Sequence, residues 1–182
     1  GMTNVIFPDI THYRDIETLH MYQERIEAGY SKEEVMKSIY AKSRDNARTP
    51  MQWNDSANAG FTQGTPWIEI NPNYKEINAE KEIKDPDSIY NYYKKLIKLR
   101  KTNEIFTEGE FHLLLEEDSQ IFAYTRTTEK ETMCVIANFT DTPAPCSLLE
   151  KWNKTEELIH NYKTKNTDVI LRPYEAIIYI DR

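Results

Sequence analysis

The sequence predicts an α+β chain, in which a helical and irregular part is followed by an antiparallel β domain. Three observations carry that reading. Apolar residues recur at helical spacing from Asp15 to Lys42 and again from Ile89 to Leu99. Beyond Asn103 the apolar period becomes two. From Asp45 to about Asp85 neither period is sustained, and an irregular stretch of that length inside a compact domain is unusual: it is either functional or holds elements that periodicity misses.

The first helix is expected from Asp15, with Ile16, Leu19, Tyr22 and Ile26 as its apolar stripe and Gly29 placed to end it. Ser31 with Glu34 forms a capping-box pattern, which starts a second helix through Val35, Met36 and Ile39. That helix leads directly into "SRDNARTPMQW", residues 43–53. Asp85-Pro86 offers an N-cap and a first-turn proline for a later helix, with Ile89, Tyr92, Tyr93, Leu96 and Leu99 on its buried side and an end near Asn103. The segments "GEFHLLLEE", "QIFAYTRTT", "ETMCVIANFT" and "DVILRPYEAIIYIDR" then read as strands, and "TDTPAPCSLL" and "EELIHNYK" can add two more. Short strands at roughly 10-residue spacing suggest an antiparallel sandwich. The chain therefore divides near residue 105, into 1–104 and 105–182.

The net charge of −7 argues against nucleic acid or an anionic membrane as partner. The basic run at Lys94, Lys95, Lys98, Arg100 and Lys101 is explained by a solvated helix face. No apolar run approaches the ~18 to 20 residues of a membrane span, and no signal-peptide pattern is visible. With only Cys134 and Cys146, and no disulfide-framework spacing, reduced thiols in a cytoplasmic protein are expected. The glycosylation patterns at Asn138 and Asn153 are then chance matches.

A self-contained catalytic constellation is missing from the sequence. His12, His20, His112 and His160 show no metal-site pairing, so no metal is expected. No glycine-rich phosphate or dinucleotide loop and no nucleophile-elbow pattern occurs, so no cofactor is expected either. The carboxylates crowd onto helix surfaces and charged turns, as at Glu33-Glu34 and Glu116-Glu117-Asp118.

Several segments carry a family resemblance. "SRDNARTPMQW" and its continuation "NAGFTQGTPWIEINPNYKEIN", together with "GMTNV", "YRDIET", "DSIYNYYKKLIKLRK", "VIANFT", "LIHNY" and "LRPYEA", resemble the α-glucosidase branch of the α-amylase superfamily. Within it the similarity is to oligo-1,6-glucosidases and dextran glucosidases. The resemblance implies the end of a (β/α)₈ barrel, its long substrate-side loop and final helix, and an antiparallel C-terminal β domain. A barrel alone needs ~250 residues, so the resemblance implies the C-terminal part of such an enzyme. The catalytic carboxylates of the family lie upstream of these motifs. Retaining glycoside hydrolysis needs two carboxylates about 5–5.5 Å apart, so the isolated chain is expected to be inactive.

Arg44 is the one functional residue that the resemblance transfers, as the arginine that helps hold the non-reducing-end glucose. A guanidinium offers a rigid fork of donors suited to a carboxylate and a sugar hydroxyl together. An ion pair with Asp45 or Asp55 is the structural alternative. Asp45, Asn46, Arg48 and Gln52 are expected to support the loop from behind, and Trp53, Phe61 and Trp67 to pack its underside. Trehalose-6-phosphate hydrolases share the same loop and tail, although they tend to carry Ser where this chain has Ala47. A non-catalytic carbohydrate-binding module on the β domain is the reading from another class, with Tyr124, Tyr174 and Tyr179 as platform candidates. The helical segments at 15–42 and 86–103 should expose apolar faces in isolation, so self-association is expected.

Overall fold

The computed structural model describes residues 2–182; Gly1, which opens the "GMTNV" segment, lies outside them. The chain forms two compact units, one reaching to Asn91 and the other running Tyr92–Arg182.

In the first unit, helix α1 (Ile16–Glu27) starts at Asp15, whose side chain accepts from the Thr18 N–H. It ends as the glycine signal predicts: Gly29 adopts φ 88°, and Tyr30 N–H donates to the Arg25 carbonyl. Helix α2 (Lys32–Lys42) begins with the full Ser31/Glu34 capping box. Val35, Met36 and Ile39 from α2 join Val5, Phe7, Tyr13 and Ile68 in one buried cluster. The expected stripe of α1 is only partly covered, because this core is built from α2 and the N-terminal segment. Ile16 is 67% exposed.

The aperiodic stretch is not featureless. It contains 3₁₀ turns at Arg44–Ala47 and Pro72–Lys75, a kinked turn over Ala57–Gly60 in which Asn58 and Ala59 have φ 52° and 55°, and a short helix α3 (Ala79–Lys84). Side-chain amides replace a periodic ladder here. The Gln52 amide donates to the Ile77 carbonyl at 2.6 Å, and the Asn58 amide donates to the carbonyls of Thr62 and Gly64. Gly60 sits at φ 67°, and a Cβ there would lie 2.7 Å from Asn54 Oδ1. Asp85-Pro86 does not start a helix. Asp85 instead ends α3 and folds its carboxylate over the Asp87 N–H, an Asx turn. Ser88 takes over as the cap of α4 (Ile89–Thr102), its hydroxyl accepting from Asn91 N–H. No residue of α4 is fully buried, and Ile89 and Tyr93, expected on its inner side, are exposed.

The second unit holds a one-turn helix α5 (Ile105–Glu108), then β1 (Glu110–Leu114), β2 (Ile121–Thr127) and β3 (Thr132–Asn138). After β4 (Ala144–Pro145) come a short helix α6 (Leu148–Trp152), β5 (Glu156–His160), β6 (Ile170–Leu171) and β7 (Ala176–Asp181). The main sheet is antiparallel in the order β1-β2-β3-β7-β5, and β4 pairs with β6 as a second layer. Alternation delivers Ile121, Ala123, Cys134, Ile136, Ile177 and Tyr179 to one face, where Ala144, Leu149, Trp152 and Leu171 cover them. The segment read as one last strand is two, broken between β6 and β7 at Tyr174, which has φ 52°. Glu175, fully buried beside it, accepts from the Arg172 N–H and guanidinium and from the Asn166 amide.

Leu149 is 0% exposed within this core. Leu149→Ala is expected to cost the second unit about 3 kcal/mol, the usual range for an unrelaxed cavity. A shift below about 1 kcal/mol in a urea unfolding curve would mean that α6 is not part of its core.

Candidate functional site

Arg44 opens the 3₁₀ turn at the end of α2, where Ser43 both closes the helix and caps the turn through Asp45 N–H. Its guanidinium is 58% exposed and meets the Glu17 carboxylate, from the first turn of α1, at 3.2 Å. The partner is thus Glu17 rather than Asp45 or Asp55, and Asp45 faces Arg48 instead. Glu17 was not singled out by the sequence, because a contact between residues 27 apart leaves no periodic trace.

Behind this exposed pair lies a buried polar layer. Asp45 is fully buried, and its Oδ2 accepts from the N–H groups of Arg14 at 2.6 Å and Asp15 at 3.0 Å. Asp15, 4% exposed, accepts from the Thr18 hydroxyl at 2.7 Å, and that hydroxyl also meets Ser43 Oγ at 3.0 Å. Arg48 serves both carboxylates, with Nη1 3.4 Å from Asp15 Oδ1 and 3.8 Å from Asp45 Oδ1. Buried charges are tolerated when paired in this way. Asn46 adds a further tie, accepting from Val5 N–H at 3.1 Å and donating to the Tyr40 carbonyl. The supporting roles expected for Asp45, Asn46, Arg48 and Gln52 thus correspond to specific hydrogen bonds.

In front, Glu17, Thr18, Lys42, Ser43 and Arg44 line an open cavity of about 250 Å³. Its chemistry is that of a polar wall carrying the cations Lys42 and Arg44 and the carboxylates Asp15 and Glu17, with Arg44 and Glu17 paired. Such a wall can orient hydroxyl groups. It offers no acid–nucleophile pair, because Asp15 and Asp45 are committed to Arg48 and to backbone N–H groups. Trp53, Phe61 and Trp67 do not pack beneath the loop; they are 53%, 47% and 62% exposed. The loop is held by amide side chains, which leaves its rings free of that task.

The remaining reactive side chains lie elsewhere. His12 pairs with Glu69 at 2.7 Å, His112 with Glu110 at 3.7 Å, and His160 with Glu157. Among the described residues no group of three or more His, Cys, Asp or Glu could hold a metal ion. Burial pushes the Cys134 thiol up to about 12, so it stays protonated and unreactive. No helix among the described residues is long and apolar enough to cross a membrane.

The α-amylase catalytic-domain model matches residues 1–109, more than half of the chain and the whole of the wall just described. The chain belongs to the α-amylase family. The model of the α-amylase SusG C-terminal domain matches residues 121–178, within the β unit. Oligo-1,6-glucosidase of Bacillus cereus is 55% identical over 185 residues, covering 98% of this chain and 33% of that protein. Trehalose-6-phosphate hydrolase of Bacillus subtilis is 44% identical, with 98% and 33% covered. The solved structure of Bacillus licheniformis trehalose-6-phosphate hydrolase superposes with a TM-score of 0.87 at 44% identity, covering 98% of this chain and 34% of that one. This α-amylase-family chain therefore spans about a third of the length of the curated relatives it matches. Its relatives are glycoside hydrolases of that family, and its helices and antiparallel sheet agree with the C-terminal region of a barrel enzyme.

Proposed function

We propose that the chain supplies the C-terminal portion of a retaining α-glucosidase that removes the non-reducing-end glucose of α-1,6-linked gluco-oligosaccharides. Residues 1–104 contribute the end of the catalytic barrel with its substrate-side loop, and 105–182 the C-terminal β domain. One observation carries the reading: Arg44 presents an exposed guanidinium on a wall whose backing is fixed by buried hydrogen bonds. In this reading Arg44 holds a sugar hydroxyl together with a carboxylate contributed from outside the chain, and Glu17 keeps its guanidinium in the plane that suits both. Catalytic carboxylates come from outside as well, so the chain alone does not hydrolyse glycosides.

A graft tests this. The chain is to replace the matching third of Bacillus cereus oligo-1,6-glucosidase, and isomaltose hydrolysis is measured. The graft is expected to turn over, and Arg44→Ala within it to lower kcat/KM by about 100-fold, the scale of losing a substrate-positioning clamp. Arg44→Lys should recover little, since an ammonium lacks the planar fork. Turnover by the isolated chain, or an Arg44→Ala graft as active as its parent, would refute the assignment. The likeness to trehalose-6-phosphate hydrolase supports a second reading. Preference of the graft for a phosphorylated disaccharide over isomaltose would favour it.

A further inference from the structure

The two edges of the main sheet, β1 and β5, differ. On β5 the pairing with β7 is interrupted by a register shift between Glu157 and Ile159, an irregularity that discourages further strand addition. In contrast, β1 stays in unbroken register with β2 from Glu110 to Leu114, contains no proline, and has four of its five residues exposed. An open edge of that kind is a template for another strand. The sheet face beside it is apolar: Phe111, Phe122 and Phe139 are 50%, 45% and 69% exposed, and Leu113 is 40% exposed. Their rings form a row through Tyr124, with centroid distances of 5.1, 5.7 and 6.1 Å.

We propose that β1 pairs antiparallel with β1 of a second copy of this chain, about a two-fold axis at His112. His112 is the middle residue of the strand, so this register pairs all of it. The sequence "EFHLL" is self-complementary in that register. Phe111 comes opposite Leu113 of the second copy, and Leu113 opposite its Phe111, so the apolar row continues across the axis. On the other face Glu110 meets Leu114 rather than a second Glu110, which avoids like-charge repulsion. Glu110 also lies diagonal to His112 of the second copy, the side-chain type it already approaches at 3.7 Å in its own strand. The contact is isologous and closes as a dimer.

The test uses the 182-residue chain itself. Light scattering at rising concentration should show a species of twice 21.5 kDa. Leu113→Lys is expected to weaken association by roughly tenfold or more, since it places a charge in an apolar contact made twice. His112→Cys should form a disulfide-linked dimer under mild oxidation while Glu110→Cys does not, because only directly opposed Cβ atoms come within about 5 Å. Cys134 and Cys146 are buried and do not compete. Circular dichroism identifies a variant that fails to fold, in which case the His112→Cys cross-link decides. A chain that stays monomeric, or a dimer lost on Tyr93→Lys in α4 but kept in Leu113→Lys, would overturn the proposal.

Discussion

Asp45→Ala is expected to lower the stability of the first unit by about 3 kcal/mol, read from urea unfolding followed by helical circular dichroism. Removing one partner of a buried ion pair costs roughly 3–5 kcal/mol. Arg48 is 36% exposed and can turn toward water, which argues for the low end of that range. The N–H groups of Arg14 and Asp15 cannot relax in the same way, because both lose the carboxylate oxygen that they share. Asp45→Asn keeps one acceptor oxygen but loses the charge facing Arg48, so about 1–2 kcal/mol is expected. Amide hydrogen exchange gives a local check: Arg14 and Asp15 should exchange faster in Asp45→Ala, ahead of the helical amides of α2. A change within about 0.5 kcal/mol, the range of ordinary surface substitutions, would show that the carboxylate does not fasten the turn.

The second large effect is expected at Glu175. Burial alone would raise its carboxyl, but the Arg172 guanidinium and N–H and the Asn166 amide outweigh that and hold it below the usual carboxylate range. A depressed folded value means that the charged form is the one the fold favours. Its contribution is therefore fully present above the unfolded carboxylate range and is lost as pH falls toward the folded value. The second unit should weaken on acidification. Glu175→Gln is expected to cost about 3 kcal/mol at neutral pH, the low end for breaking a buried pair, since Arg172 is 28% exposed. It should also flatten the stability curve below the carboxylate range. Parallel acid profiles for the two proteins would assign the pH dependence to other groups. Arg172 also lies 3.9 Å over the Tyr162 ring, a cation–π contact that favours its present orientation and leaves it partly engaged in the variant.

Features governed by near neighbours were legible in the sequence. The Ser31/Glu34 cap, the Gly29 stop and the alternation of β2 and β3 all depend on residues a few positions apart, and each appears in the structure. Competition between local signals was not legible. Asp85-Pro86 matches a helix start, yet Ser88 caps α4 because Asp85 is already engaged in closing α3. The break between β6 and β7 depends on a buried glutamate gathering donors from Asn166 and Arg172, which alternation cannot register. The candidate wall divides in the same way. Arg44 stood out through its motif, whereas Glu17 and Asp15 join it only because α1 and the turn after α2 fold together across about 30 residues. The exposure of Trp53, Phe61 and Trp67 follows from a loop braced by asparagine and glutamine side chains, a role that composition alone does not assign.

The shared arginine also constrains how this sequence can drift. Two acidic side chains depend on one basic one, so exchanging Arg48 strands two buried carboxylates, whereas exchanging either aspartate leaves Arg48 its other partner. Loss of Arg48 is therefore the costliest single step in the trio, and a viable replacement of it needs compensating changes made together. Arg44 and Glu17, open to solvent in front of it, carry no such mutual debt to the interior. Fold stability therefore binds the outward-facing pair more loosely than the layer behind it, so that what fixes Arg44 is its proposed task at the sugar and what fixes Arg48 is the fold itself.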